Sequence, residues 1–410
     1  MNSELIRKDF PILSTKVNGH QIVYFDNAAT TQRPLPVVNA VADYVLHENG
    51  NPHRGAHIFA ISASEAYDTS KEVVRKFLNA KSAKEIIYTR NTTESLNLVA
   101  RSYGEPHLHK GDHILITIAE HHSNLVTWQR VAQKTGAVLD YIYVDKKTGH
   151  FPEEELKKID DPRVKLFAFA EVSNVLGIDF DPKPLIERAH AHGAIVVLDG
   201  AQSTPHKRVD VQNLGCDFFA FSGHKMCSMG GIGVLYGREE LLNDMEPFLM
   251  GGDMIEDVHE QETTFAELPA KFEAGTQYVE GAVSLVAAIK YVEAIGYDEI
   301  RAQERRLVTR CLEGMKKLPF IHIIGPTNPE EKEGLVAFEV EGVHPHDVAQ
   351  ILSAKGICIR TGHHCAEPLH YYLGINASCR ASFYFYNTVD EVDYFLKELK
   401  DVRKVMGYDD

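Results

Sequence analysis

The sequence predicts an α/β protein, with a large unit on a mainly parallel sheet and a smaller α+β unit toward the C-terminus. Three observations carry this expectation. Short apolar runs alternate with helical stretches. The runs are continuously apolar, as in strands covered on both faces. The rhythm then changes after about residue 285.

The runs are EIIYT (85–89), HILITI (113–118), VLDYIYV (138–144), VKLFAFA (164–170), AIVVLD (194–199) and DFFAFS (217–222). After them come one long helix around 284–317, a strand GLVAFEVEG, a helix over 345–355, a short strand GICIRTG and a terminal helix from 388. A first strand near VYFDN precedes the main sheet by a long excursion, so the N-terminal segment is expected to pack with the small unit. The expected division is 1–25 for that segment, 26–285 for the large domain and 286–410 for the small one.

A chain of 410 residues, 44% hydrophobic and 25% charged, can bury a large core. Against 43 basic residues stand 58 acidic ones, a net charge of −15, the wrong sign for gripping nucleic acid. The start, MNSELIRKDFPIL, lacks a basic segment followed by an apolar stretch, and no run approaches the ~20 apolar residues of a membrane span. The expectation is a cytoplasmic protein. Cys216, Cys227, Cys311, Cys358, Cys365 and Cys379 form no CxxC pair or zinc-finger spacing. Most should be inert core residues, so a reactive one needs separate support.

In an open α/β sheet, ligands sit beyond the carboxyl ends of the strands. The segments there are polar: RNTTES, AEHHSN, EVSNVLG, GAQS and GHKM. Thr92 and Thr93 open a helix, where free N–H groups suit a phosphate, although on these residues alone a threonine N-cap with Glu94 in the first turn is the favoured reading. Asp199 ends an apolar strand, where a carboxylate needs a cation or a hydrogen bond; a protonated pyridine nitrogen meets that need, and so does a helix cap or a turn. Lys225 follows the strand DFFAFS through Ser222, Gly223 and His224. A desolvated lysine is an amine nucleophile toward an aldehyde, whereas an arbitrary lysine is solvated surface. Aspartate at one strand end and Ser-Gly-His-Lys at the next favour the first reading. His121 and His122 are a helix-start pair or a metal site on their own showing, but adjacent histidines point apart and bring no third ligand, so no metal is expected.

Taken together, DNAATTQ (26–32), NTTESLN, AEHHSN, EVSNVLG, LDGAQS, FSGHK and RTGHHCAEP resemble the class V aminotransferase family of pyridoxal 5'-phosphate (PLP) enzymes, and within it the group II (Suf-type) cysteine desulfurases. The resemblance runs from about residue 8 to 405. It implies the PLP-dependent transferase fold type I, with a mainly parallel seven-stranded sheet. It implies that Lys225 is the Schiff-base lysine and proton shuttle, that Asp199 pairs with the pyridinium nitrogen, that Gln202 bonds the ring oxygen and that His121 stacks on the ring. Thr93, Ser222 and His224 would hold the phosphate. Thr276, in FEAGT, would reach the partner subunit's phosphate, which implies a homodimer.

In CIRTGHHCAEPLH, Cys365 sits among small and polar residues with His363 and His364 beside it. The reading is a reactive cysteine on an accessible loop whose histidines favour the thiolate, against a buried or zinc-binding one. Arg380, in SCRASFYFYNT, matches the arginine that clamps a substrate α-carboxylate, although a lone strand arginine is more often a salt-bridge partner. Asn174 would contact cofactor or substrate, and Arg360 and His53 would lie on the substrate side. The resemblance thus implies conversion of L-cysteine to L-alanine with a persulfide on Cys365, supplying sulfur for iron–sulfur cluster assembly. Alternatives are a selenocysteine lyase, a cysteine-sulfinate desulfinase, or a catalytically silent scaffold of that assembly. The chain departs from the family where Gln277-Tyr278-Val279-Glu280 replaces the usual proline after Thr276, which bears on the dimer-facing loop. The resemblance implies a small sulfur-acceptor protein, of either a zinc-containing scaffold-like type or a cysteine-loop type, and is to members that work with the zinc-containing one. His346, in GVHPHD, would take over one of its zinc positions, with helix capping by His344 and His346 as the competing reading.

Overall fold

Each strand of the main sheet divides its side chains between two apolar layers, which explains why the runs are continuously hydrophobic. A computed structural model describes residues 3–408. The seven strands are β1 (Ile86–Thr89), β2 (His113–Thr117), β3 (Val138–Ile142), β4 (Val164–Ala170), β5 (Ile195–Asp199), β6 (Phe218–Ser222) and β7 (Gly233–Gly237), in the order β1-β7-β6-β5-β4-β2-β3. Leu115, Phe167, Phe169, Val196, Leu198, Phe219 and Phe221 face one side, against helices Ile58–Leu78, Pro182–Ala191 and Val279–Ile295. Ile114, Ile116, Leu166, Ala168, Val197, Phe218 and Ala220 face the other, against helices Thr92–Val99 and Val126–Thr135. This is the two-unit period of a pleated strand.

Only β7 runs antiparallel, between β1 and β6. The apolar-run reading omits it, because Gly231, Gly233 and Gly237 make GIGVLYG look like a loop. Gly233 has a packing reason: a Cβ there would lie 2.5 Å from the Cα of Asn91. The expected single helix over 284–317 is in fact two, Val279–Ile295 and Tyr297–Met315, broken at Gly296 with φ +88°. Glycine adopts that conformation at little cost, and it ends the first helix.

A second sheet comprises β8 (Ile321–Ile324), β9 (Leu335–Val340), β10 (Arg360–Gly362) and β11 (Ser378–Ser382), antiparallel in the order β8-β9-β11-β10. Its apolar layer is shared with helices Tyr297–Met315, Pro345–Ala354 and Val389–Lys400. Val23–Tyr24 pairs in parallel with Ile357–Cys358, and Val23 and Phe25 join this layer. Asp26 then bridges to Ser382, carrying the following residues toward the main sheet. No helix among the described residues is long and apolar enough to cross a membrane.

Candidate active site

The carboxyl ends of β4, β5 and β6 open onto a cavity of about 210 Å³. Lys225 lies in the single 3-10 turn Gly223–Lys225 that follows β6. That turn is latched by the N-terminal segment: Thr31 N–H and the Thr30 and Thr31 hydroxyls donate to the His224 carbonyl at 3.1, 3.0 and 3.2 Å. The two threonines of DNAATTQ therefore have a structural reason that the sequence alone did not reveal. Desolvation, opposed by Asp199, lowers the Lys225 pKa to about 8. A larger fraction of the amine is thus unprotonated at neutral pH than for a surface lysine.

Asp199 ends β5 and accepts from Ala201 N–H at 2.9 Å. Burial raises its pKa, so the carboxylate gains from a cation brought into the cavity. A Cβ on Gly200 would lie 2.0 Å from the Phe219 ring, so only glycine lets this turn pass so close to β6. Gln202 donates to the Ala28 carbonyl at 2.8 Å. Ser222 Oγ accepts from Thr92 N–H at 2.8 Å and meets Thr92 Oγ1 at 2.7 Å, joining the end of β6 to the start of helix Thr92–Val99. The cap of that helix is not a threonine: Asn91 accepts from Glu94 N–H at 3.0 Å. Thr92 and Thr93 line the cavity instead.

His121 lines the cavity while its Nδ1 meets Ser123 Oγ at 2.8 Å. Burial, and then Lys225, lowers its pKa to about 3, so the ring is a neutral face. Beside it Glu120 is fully buried, accepting from Asn124 Nδ2 at 2.6 Å and from Ala170 N–H at 3.2 Å. Desolvation raises the Glu120 pKa to about 8. In the sequence Glu120 serves only to mark His121 as the histidine that follows it, and nothing there distinguishes it from a surface glutamate.

Cys365 enters from the other sheet, on the loop after β10. His364 and Cys365 have φ of 52° and 57°, in the left-handed region, at a cost of order 1 kcal/mol each. Two bonds from the large unit hold them there: Asn174 Nδ2 donates to the His364 carbonyl and His122 N–H to the Cys365 carbonyl, each at 2.6 Å. Arg380 Nη1 in turn donates to the Asn174 carbonyl at 2.8 Å. His364 does not supply the positive charge expected beside the thiol. His364 is buried against Ser378 Oγ at 2.9 Å, and burial, reinforced by Arg380, lowers its pKa to about 2. The cations that act on Cys365 are Lys225 and Arg380.

Eleven of the thirteen expected site residues thus surround one cavity: Thr93, His121, Asn174, Asp199, Gln202, Ser222, His224, Lys225, Arg360, Cys365 and Arg380. Two do not. His53 lies outside the cavity because its ring is taken up elsewhere, bonding Asp68 at 3.0 Å and packing edge-on to Tyr67. Thr276 lines a neighbouring cavity of about 460 Å³ with Gln277 and Tyr278.

The donor set fits PLP. It offers an amine for the aldehyde, a buried carboxylate for the ring nitrogen, a neutral imidazole face, and hydroxyls with a helix N-terminus for a phosphate.

The Aminotransferase class-V family model matches residues 23–395. A probable cysteine desulfurase of Halalkalibacterium halodurans is 47% identical over 408 residues, spanning both chains in full. One of Staphylococcus aureus is 44% identical over 402 residues, covering 98% of this chain and 97% of the relative. Among solved structures, a cysteine desulfurase from Thermococcus onnurineus superposes with a TM-score of 0.92 at 43% identity over 98% of both chains. The Escherichia coli cysteine desulfurase CsdA superposes with a TM-score of 0.89 at 36% identity over 99% of both.

Proposed function

The chain belongs to the class-V aminotransferase family, and on that premise we propose that it is a PLP-dependent cysteine desulfurase, converting L-cysteine to L-alanine with a persulfide on Cys365. The observation that carries this is the meeting of Lys225, Arg380 and Cys365 on one cavity, each from a different element.

Lys225 would hold the cofactor at its aldehyde, Asp199 at the ring nitrogen, Gln202 at the ring oxygen, and Thr93, Ser222 and His224 at the phosphate. Bound there, PLP supplies an electron sink next to the substrate's α-carbon. Arg380 presents a guanidinium fork to the α-carboxylate, with Arg360 and Asn174 beside it. Lys225 Nζ would then be the base that takes the substrate's α-proton. Cys365 Sγ, as thiolate, attacks the substrate sulfur; the new S–S bond forms as the C–S bond breaks, and its electron pair stays with the carbon that becomes alanine's methyl group. His121, neutral and within the cavity, is placed to move a proton during that step.

The finer reading is a Suf-type group II enzyme supplying iron–sulfur cluster assembly. It works in the cytoplasm as a homodimer, with Thr276 serving the partner's site. The cytoplasmic assignment is supported by six free cysteines, four of them buried. Residues 26–285 would form the PLP-binding domain, and 286–410 the domain carrying the cysteine loop, joined by the first 25 residues.

For the acceptor, His344 alone caps helix Pro345–Ala354, accepting from His346 N–H at 3.2 Å. The His346 ring stacks on that of His344 at 5.3 Å and its Nδ1 meets Thr361 Oγ1 at 3.3 Å, while Nε2 makes no hydrogen bond among the described residues and is the nitrogen available for a partner's zinc. His346→Ala should leave basal alanine formation intact and remove stimulation by a zinc-containing acceptor; undiminished stimulation excludes the exchange. The function itself is tested by incubating the PLP-loaded protein with L-cysteine, quantifying alanine, and locating the persulfide by mass spectrometry. Persulfide on Cys358 or Cys379 but not on Cys365 would overturn the assignment.

A further inference from the structure

Lys332 is fully buried, lies outside the cavity and takes no part in the chemistry described above. It sits between the turn Pro329–Glu331 and β9. Its Nζ donates to the Leu176 carbonyl, in the segment after β4, and to the Ile324 carbonyl, at the end of β8, at 2.9 and 3.0 Å. No carboxylate pairs with it among the described residues, and burial lowers its pKa to about 7. Two carbonyls without an anion suit an unprotonated amine, which has two N–H bonds to give. Burying a lysine costs side-chain freedom and desolvation, so the use of this one lies in what its two bonds hold together.

Leu176 belongs to a tight turn over 173–177. Gly177 N–H donates to the Ser173 carbonyl at 3.0 Å, and Ser173 Oγ accepts from Val175 and Leu176 N–H at 3.3 and 3.1 Å. The small unit grips this turn at three carbonyls: Arg380 Nη1 at Asn174, Lys332 Nζ at Leu176, and Glu333 N–H at Gly177, the last at 2.7 Å. Val175 and Leu176 also share a buried apolar cluster with Ile324 of β8 and with Ala366 and Leu369, which follow Cys365 closely in the chain. From the same turn Asn174 Nδ2 reaches the His364 carbonyl. His364 and Cys365 have left-handed backbones, which persist only while their neighbours hold them. Of the three grips, Lys332 alone is a side chain that does not itself line the cavity.

Building on the proposed desulfurase activity, we propose that Lys332 is a positioning residue for the sulfur step: by holding the Leu176 and Ile324 carbonyls together it fixes the 173–177 turn and, through Asn174, the backbone of His364 and Cys365, so that the thiol meets the substrate sulfur.

The test compares two readouts in PLP-loaded Lys332→Met. Persulfide formation on Cys365 in a single turnover with L-cysteine should slow by about tenfold or more, the size expected when a reacting group is slightly misplaced from a distance. L-alanine binding, read from the visible absorption of the bound cofactor, should stay within about threefold of wild type. A smaller folded fraction would scale both readouts alike, so equal losses in the two make Lys332 a general support of the fold and overturn the proposal. Persulfide formation slowed less than about threefold overturns it too. Hydrogen exchange in the same protein reads the coupling directly. Exchange should quicken over 173–177 and over 362–367 together, with β5 unchanged, and faster exchange confined to 173–177 overturns the proposal. If Lys332→Met does not fold, Ser173→Ala loosens the same turn from a residue outside the cavity, and unchanged exchange over 362–367 in that variant overturns the proposal instead. Because exchange is read without turnover, these outcomes stay separate from a failure of the wild-type protein to make alanine from cysteine, which would strike the desulfurase reading alone.

Discussion

Lys225, Lys332 and Lys71 are all desolvated, yet protein meets their amines in three different ways. Lys225 stands at the wall of the cavity, with Asp199 opposing the cost of its burial. Lys332 is 1% exposed at the seam between the two sheets, where it donates to the Leu176 and Ile324 carbonyls at 2.9 and 3.0 Å, and burial lowers its pKa to about 7. Lys71 is paired with Glu273, which also accepts from Tyr67 Oη at 2.7 Å and from Tyr88 N–H at 2.6 Å. The comparison teaches that a lowered amine pKa does not mark a reactive lysine by itself. Reactivity requires open space beside the amine, and only Lys225 has it, whereas the other two spend their donors on tying segments together.

The sharpest break in the comparison is Lys225→Ala. It should reduce alanine formation from cysteine by more than about a thousandfold, because the amine is both the cofactor's anchor and the proton carrier. Its thermal unfolding should change little. Alanine production near the wild-type rate would remove Lys225 from its role.

Lys71→Met should act in the opposite sense. Removing one partner of a buried pair leaves Glu273 unpaired at a cost of about 3–5 kcal/mol, read as a lower midpoint in urea. Glu273 leads directly into Ala274-Gly275-Thr276, so the neighbouring 460 Å³ cavity should loosen as well. A midpoint unchanged from wild type would mean that the pair contributes nothing net.

Lys332→Met should have a smaller effect, about 1–3 kcal/mol near neutral pH, since two carbonyls lose their donor. It also carries a pH signature. The folded amine loses its proton near 7 and the unfolded one near 10.5, so across that window the unfolded chain binds more protons and the wild type gains stability as pH rises. Methionine cannot titrate. The stability difference between wild type and variant should therefore widen from pH 7 toward 10, and a flat difference would show that the folded amine keeps an ordinary pKa.

The smallest effect on architecture is expected from Cys365→Ser. It should bind PLP and perturb its visible absorption on adding cysteine, as wild type does, yet carry no persulfide by mass spectrometry, since a hydroxyl lacks the thiolate's nucleophilicity. Sulfur transfer to Cys358 in this variant would contradict the assignment.

The strand ends were legible because a buried strand must be apolar on both faces, so the polar residues that close or follow each run stand out: Asp199 closing AIVVLD, Ser222 closing DFFAFS, and Lys225 three residues beyond it. β7 was not legible, because its glycines answer to the approach of Asn91, a contact 142 residues away in sequence. The break at Gly296 was missed for a similar reason: apolar periodicity continues through it, and only the left-handed backbone ends the helix. For His53 a segment resemblance was the whole signal, and side-chain direction does not follow from that.

The residues that supply chemistry, and the order in which strands deliver them, belong to the sequence alone, since local polarity and hydrophobic period depend on neighbours a few positions apart. Tertiary structure decided what those residues experience. Burial makes His364 neutral, so it is Arg380 and Lys225 that act on Cys365. The approach of residues 26–31 to β11 and to the Lys225 turn makes Asp26 the counter-charge of Arg360 and Arg380. Desolvation and charge pairing depend on everything within several ångströms, and that neighbourhood exists only once the chain has folded.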